Sequence, residues 1–142
     1  MKISRLPLNA KSLAEYSKIP ISFEVRSRLA IEVVNNGLGG IVLHEEPVKS
    51  PYRKDYDQLE EEGLTRWLTQ FDTTNWTMFL ALEGGIAVGG ATVALWTPGI
   101  WMFERRKDVS VLWDIRVHPD RRRSGIGTAL FSEAVEWSRG HG

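Results

Sequence analysis

The stretch Trp113-Asp114-Ile115-Arg116-Val117-His118-Pro119-Asp120-Arg121-Arg122-Arg123-Ser124-Gly125-Ile126-Gly127-Thr128-Ala129-Leu130-Phe131 decides how the rest of the chain reads. Val109, Val111, Trp113, Ile115 and Val117 alternate with Ser110, Leu112, Asp114, Arg116 and His118, the pattern of a strand with one apolar face, and Pro119 ends it. After the loop of arginines and glycines, Ile126, Leu130, Ala134 and Trp137 share one face of a helix predicted over 124–139, which Gly140 stops. A helix start leaves its first backbone N–H groups unpaired and carries partial positive charge, so an anion placed there gains several hydrogen bonds. Gly125 and Gly127 let such an anion approach the backbone closely, and Arg122 and Arg123 add positive charge around the same point. These residues predict a diphosphate site. It is not a P-loop, because no Gly-Lys-Ser/Thr ending is present. Nor does it fit the dinucleotide fingerprint, which wants three glycines after the first strand and an acidic residue about twenty positions on.

Working outward, Trp76 to Leu82 and Ile86 to Thr97 read as two apolar strands joined by Glu83-Gly84-Gly85, a hairpin expected at the buried centre of the sheet. Residues 84–103 are free of charge over about the length of a membrane helix, ~20 residues, but five glycines and Pro98 favour strands there. Further upstream, Tyr56, Leu59, Leu64, Trp67, Leu68 and Phe71 recur at helical spacing, which predicts a helix over 57–70, with Asp57 and Glu60 as its capping box. Ser50 to Asp57 reads as a loop. Ile21 to Val34 alternates apolar and polar residues, Asn35-Asn36-Gly37 turns, and 40–48 supplies a second strand of a hairpin with one wet face. The first twenty residues read as irregular, with any helix short, between Pro7 and Pro20.

Composition narrows the class. At 142 residues the chain is one domain's worth of sequence, and no internal repeat divides it. Lys plus Arg equals Asp plus Glu at 18 each, which removes the general attraction that nonspecific nucleic-acid binding depends on. There is no cysteine, so disulfides and thiolate metal sites are excluded, and no metal ligand set stands out. The start has no apolar run of signal-peptide length, so a cytoplasmic protein with neither membrane nor nucleic-acid partners is expected.

The strand-turn-helix segment, over about residues 109–139, resembles motif A of the GNAT superfamily of acyl-CoA N-acetyltransferases, Arg/Gln-x-x-Gly-x-Gly/Ala after a strand. Arg122, Gly125 and Gly127 occupy its three defined places, and Val117-His118-Pro119-Asp120 with Ile126, Ala129 and Leu130 are similar to the family's strand ending and helix. The resemblance implies an α/β (α+β) fold, a mixed and mostly antiparallel sheet flanked by helices, with acetyl-CoA as co-substrate and no metal. It implies transfer of acetyl to a primary amine of a small molecule. Within Ile115-Arg116-Val117 the backbone groups of Ile115 and Val117 would meet the pantetheine arm. Amides of Arg122, Arg123, Ser124, Gly125, Ile126, Gly127 and Thr128 would hold the pyrophosphate. A domain of this family continues past that helix with a strand, a helix and a closing hairpin, so the expectation is a single domain over 1–142, truncated at its C-terminus. The strand at 109–117 would then be an open edge that favours a homodimer.

Ser50-Pro51-Tyr52-Arg53-Lys54-Asp55-Tyr56-Asp57, with the acidic residues after it and Asp114-Ile115, resembles streptothricin acetyltransferases. That implies antibiotic resistance, with an aminoglycoside-like or streptothricin-type antibiotic as acceptor. Asp55, Asp57, Glu60, Glu61 and Glu62 would draw a cationic amine. Asp114 is the candidate general base, directly or through water, set against a strand-edge carboxylate that pairs with a neighbouring arginine. Tyr52, Tyr56 and Trp96 are the candidate substrate contacts. Trp101 is a second candidate cleft wall, His118 reads as a turn residue, and Trp67, Trp76, Trp113 and Trp137 read as core. The rival functions are a noncatalytic acyl-CoA-binding module and a small RNA-binding domain built on Arg121 to Arg123.

Overall fold

In the computed structural model, which describes residues 1–59 and 63–141, the apolar hairpin forms as β4 (Thr77–Glu83) and β5 (Ile86–Leu95). A strand at the chain start, β1 (Lys2–Pro7), pairs outside β4, and β6 (Ser110–Val117) pairs outside β5. The order is β1-β4-β5-β6 and every pairing is antiparallel. This is the expected α+β arrangement, with the sheet antiparallel throughout its described strands. The remaining elements are α1 (Ala10–Tyr16), the hairpin strands β2 (Phe23–Val33) and β3 (Ile41–Lys54), the short α2 (Arg66–Gln70), and α3 (Ile126–Arg139).

Strand alternation divides the core between the two faces of the sheet. Met78 and Leu80 pack with Leu13, Tyr16, Ile19 and Trp67 on one face. Phe79 and Ala81 pack with Ile126, Leu130 and Ala134 of α3 on the other. Gly89 and Gly90 in β5 set how closely both layers approach. A Cβ on Gly90 would lie 2.5 Å from Cε2 of Tyr16, and one on Gly89 would lie 2.7 Å from Cγ2 of Ile126. Absent side chains in a central strand thus bring the α1 layer down on one face and α3 on the other.

Several local expectations change. The first residues form β1 and α1, and Asn9 caps α1 through its side chain, which accepts from the Ser12 N–H at 3.0 Å. β1 escapes a sequence reading because only one of its edges is paired and its burial alternates weakly. β3 continues through Pro47 and Pro51 to Lys54, where a loop was expected; both prolines are tolerated because β3 pairs with β2 alone. The helix over 57–70 breaks into a 3₁₀ turn at Tyr56–Leu59, another at Gly63–Thr65, and α2. Gly63, with φ +54°, departs from helical geometry. Glu60 of the expected capping box lies outside the described residues, as do Glu61 and Glu62. The β2–β3 hairpin turns at Asn35 and Asn36, both left-handed. Its apolar members Leu29, Ile31, Val33, Ile41 and Leu43 are all exposed, so neither of its faces is dry. Among the described residues, no helix is long and apolar enough to cross a membrane.

Because Tyr16 is fully buried, its ring has nowhere to retreat from a new methyl group. Gly90→Ala is expected to destabilise the fold by ~2 kcal/mol, a fall in Tm of roughly 5 °C. Thermal unfolding followed by tryptophan fluorescence checks it; an unchanged Tm would show that the Tyr16 layer is not tightly docked.

Candidate functional site

The turn from β6 into α3 leaves a row of backbone donors free. His118 closes a 3₁₀ turn at Pro119–Arg121, its ring accepting from the Asp120 N–H at 3.3 Å, and its own N–H donates to the Val88 carbonyl at 2.8 Å. The chain then reverses through Arg123, φ +64°, and Gly125, φ +85°, into α3. No side chain caps that helix, and its first bonded amide is Ala129, to the Gly125 carbonyl. The amides of Ile126, Gly127 and Thr128 therefore have no acceptor among the described residues. A Cβ on Gly127 would only touch Cγ2 of Val117 at 3.7 Å, so the protein itself does not require glycine there; a ligand on those amides would. Arg122, Arg123 and Gly127 line a cleft of about 360 Å³ with Ile21 and the 115–117 stretch of β6.

The two arginines have different duties. The Arg122 guanidinium donates to the carbonyls of Val117 at 3.2 Å and Ser22 at 2.9 Å, tying the loop to the chain between α1 and β2. Arg123 makes no hydrogen bond among the described residues and is an exposed cation beside the helix start. The Ser124 hydroxyl is spent on the Arg121 carbonyl at 2.5 Å.

A second cleft, of about 270 Å³, lies further back along β6. It opens there because the strand bulges: Thr92 faces Asp114 while Val93 faces Leu112, leaving Trp113 as the extra residue. The simple alternation read from the sequence breaks at that point. Asp114 lies on the same cleft as Trp113 instead of opposite it, and Arg116 follows into the α1 layer. Arg116 is 3% exposed. Its Nε donates to Oδ2 of Asp114 at 2.8 Å, and Nη1 and Nη2 bind the two oxygens of Asp57 at 2.7 and 3.1 Å. Nη1 also donates to the Ile19 carbonyl at 3.2 Å, and the guanidinium lies 4.9 Å from the ring centre of Tyr16. Tyr16 Oη donates to the same Oδ2 of Asp114 at 3.0 Å. Burial, which on its own would lower the Arg116 pKa, is outweighed by its bonds to Asp57 and the charge of Asp114, and the guanidinium is held firmly protonated. Burial and then the Asp114 charge push the Tyr16 phenol well above its usual range, so it stays a neutral donor. Two carboxylates thus share one buried guanidinium on a cleft that Arg66 also lines, and Oδ1 of Asp114 has no hydrogen bond among the described residues.

The fold brings together most of the residues read from the sequence. Ile115, Arg116, Val117, Arg122, Arg123 and Gly127 share the cleft beside the helix start, though Arg116 turns its side chain inward to the carboxylates. Tyr56 stands beside Asp57 and Asp114 on the second cleft; it is half exposed and does not begin a buried stripe. Tyr52 lies on a third cleft, of about 620 Å³, between the base of the β2–β3 hairpin and the His118–Arg122 turn. Trp96 stands apart: it follows the end of β5 that pairs with Ser110, with Lys107 4.3 Å from its ring centre, and lines neither β6 cleft. Trp101 is exposed on a 3₁₀ turn. Sequence reasoning passed over Tyr16, Ile21 and Asp57 as a set. Gly89-Gly90 in an apolar strand was the available sign that a large side chain such as Tyr16 closes on the sheet.

Comparison with known proteins adds the family. No curated protein sequence matches the chain. Among solved structures, a nourseothricin acetyltransferase superposes with a TM-score of 0.64 at 20% identity, covering 99% of this chain and 69% of that one. A Bacillus anthracis protein assigned as a streptothricin acetyltransferase, solved in complex with acetyl coenzyme A, gives 0.59 at 22% identity, with 98% and 69% covered. At these identities the likeness is one of fold. The acetyltransferase (GNAT) family profile matches residues 42–142, which span β3 through α3 and include the anion-binding turn, and the chain belongs to the GNAT acetyltransferase family.

Proposed function

We propose that this chain binds acetyl-CoA at the β6–α3 turn and transfers the acetyl group to a primary amine held at Asp114, with a streptothricin-type antibiotic as the acceptor. The observation that carries the reading is that the two β6 clefts are neighbours: Ile21 and Arg116 line both. A helix start with free amides therefore stands beside one cleft, and the carboxylates of Asp57 and Asp114 line the next. The family membership supports acetyl transfer, and the fold shared with nourseothricin and streptothricin acetyltransferases supports the choice of acceptor.

Acetyl-CoA supplies an activated acetyl group as its thioester. The amides of Ile126, Gly127 and Thr128, with Arg123, would hold its pyrophosphate. Asp114 orients the incoming ammonium through Oδ1, while Tyr16 and Arg116 keep the carboxylate from turning. The ammonium loses one proton to solvent. Its nitrogen then forms the C–N bond as the C–S bond breaks, and its second proton passes to the coenzyme thiolate. Atoms and charge balance without a further reactant, and much of the acceleration comes from holding the two substrates together.

Calorimetric titration of the 142-residue chain with acetyl-CoA is expected to show saturable one-site binding. Gly127→Glu suits the first turn of a helix but places a carboxylate among the anion-binding amides, and is expected to weaken that binding at least about tenfold with the fold intact. Absence of binding by the folded wild-type chain would refute the reading. With nourseothricin as acceptor, Asp114→Asn is expected to lower kcat/KM by roughly a hundredfold while acetyl-CoA affinity changes less than about threefold. Asp57→Asn keeps the turn but removes one charge from Arg116, and is expected to raise the KM for the amine more than it lowers kcat. Equal loss in both kinetic terms for this variant would place Asp57 in the chemistry itself.

A further inference from the structure

Ile21 holds a position that neither the motif nor the charge pattern explains. Besides the inward-turned Arg116, it is the side chain that lines both β6 clefts. It belongs to a short segment, Pro20 to Ser22, in neither helix nor strand. That segment is nonetheless fixed from three directions. Arg116 Nη1 donates to the Ile19 carbonyl at 3.2 Å, Arg122 Nη2 to the Ser22 carbonyl at 2.9 Å, and Arg53 Nη2 to the Ser22 hydroxyl at 2.5 Å. These arginines come from β6, the anion-binding loop and β3. Ile19 and Ser22, which bracket Pro20 and Ile21, are 0% and 2% exposed, while Ile21 is partly exposed and lines both clefts.

We propose that Ile21 sets the length of the acyl chain that the site accepts, a reading that rests on the acetyl-CoA assignment above. An acyl group handed from the helix-start cleft to an amine at Asp114 has to pass Ile21, which lines both clefts. The wall there is a branched aliphatic side chain whose backbone cannot retreat, because its neighbours are held by three guanidinium groups. A two-carbon acyl group passes beside it. A four-carbon chain has to displace it, and packed walls held in this way discriminate by single methylene groups.

The test compares the affinities of acetyl-CoA and butyryl-CoA by calorimetry, with no acceptor present. The wild-type chain is expected to prefer acetyl-CoA by about tenfold or more, Ile21→Ala to narrow the ratio below about threefold, and Ile21→Val to fall between. Should Ile21→Ala fail to fold, the Ile21→Val ratio decides alone. A wild-type ratio near one, or the same ratio in the folded variants as in the wild type, would overturn the proposal while leaving acetyl-CoA binding intact. No binding of either thioester by the wild-type chain would overturn the acetyl-CoA assignment and this proposal with it.

Discussion

A guanidinium group buried between two carboxylates organises this protein. Arg116 reaches out of the edge strand of the sheet to Asp114 on the same strand, to Asp57 beyond the β2–β3 hairpin, and to the Ile19 carbonyl behind α1. Taking such charges out of water is costly, and the arrangement persists because all three nitrogens of the guanidinium have close acceptors and the aromatic face of Tyr16 lies against it. Removing Arg116 would leave the carboxylates of Asp57 and Asp114 without their shared counter-charge. That dependence lets a single side chain hold three chain segments, far apart in sequence, around one stretch of β6.

The rest of the site follows from where that side chain can sit. The bulge at Trp113 shifts the alternation of β6 by one, which turns Asp114 and Arg116 into the α1 layer and leaves Ile115 and Val117 toward the helix start. Gly90, directly across from Arg116 in the register, makes room for Tyr16 to close over the pair. Gly89 lets Ile126 and Leu130 seat the start of α3 on the opposite face. The turn into α3 and the carboxylate-lined cleft thus lie side by side along the C-terminal half of β6, positioned by packing on both sides of the sheet.

Much of this was legible in the residues. The strand, proline turn, arginine-glycine loop and helix of 109–139 form where their pattern places them, because proline, glycine and a helical apolar stripe are local signals that tertiary context seldom overrides. The apolar hairpin at 77–95 was readable for the same reason. What escaped depends on contacts between distant segments. The bulge at Trp113 leaves no mark in an otherwise regular alternation, and without it Asp114 reads as pointing away from Trp113. Arg116 reads as part of the cofactor-binding stretch of the strand, and only the fold brings its side chain to Asp57. In place of the helix over 57–70 stand 3₁₀ turns at Tyr56–Leu59 and Gly63–Thr65 and the short α2, and Gly63 has a left-handed backbone that no apolar period reveals. Arg122 was read as a phosphate ligand from its place in the motif, but its side chain clasps the Ser22 and Val117 carbonyls.

The central claim, that acetyl-CoA docks at the turn from β6 into α3, is tested most directly by following backbone amide resonances of the labelled chain as acetyl-CoA is added. The account predicts that the largest shifts fall on Ile115 to Val117 and on Arg122 to Thr128, with Ile21 among the responding residues. Shifts concentrated elsewhere, for instance along the β2–β3 hairpin, or no shifts at all from a folded chain, would contradict it.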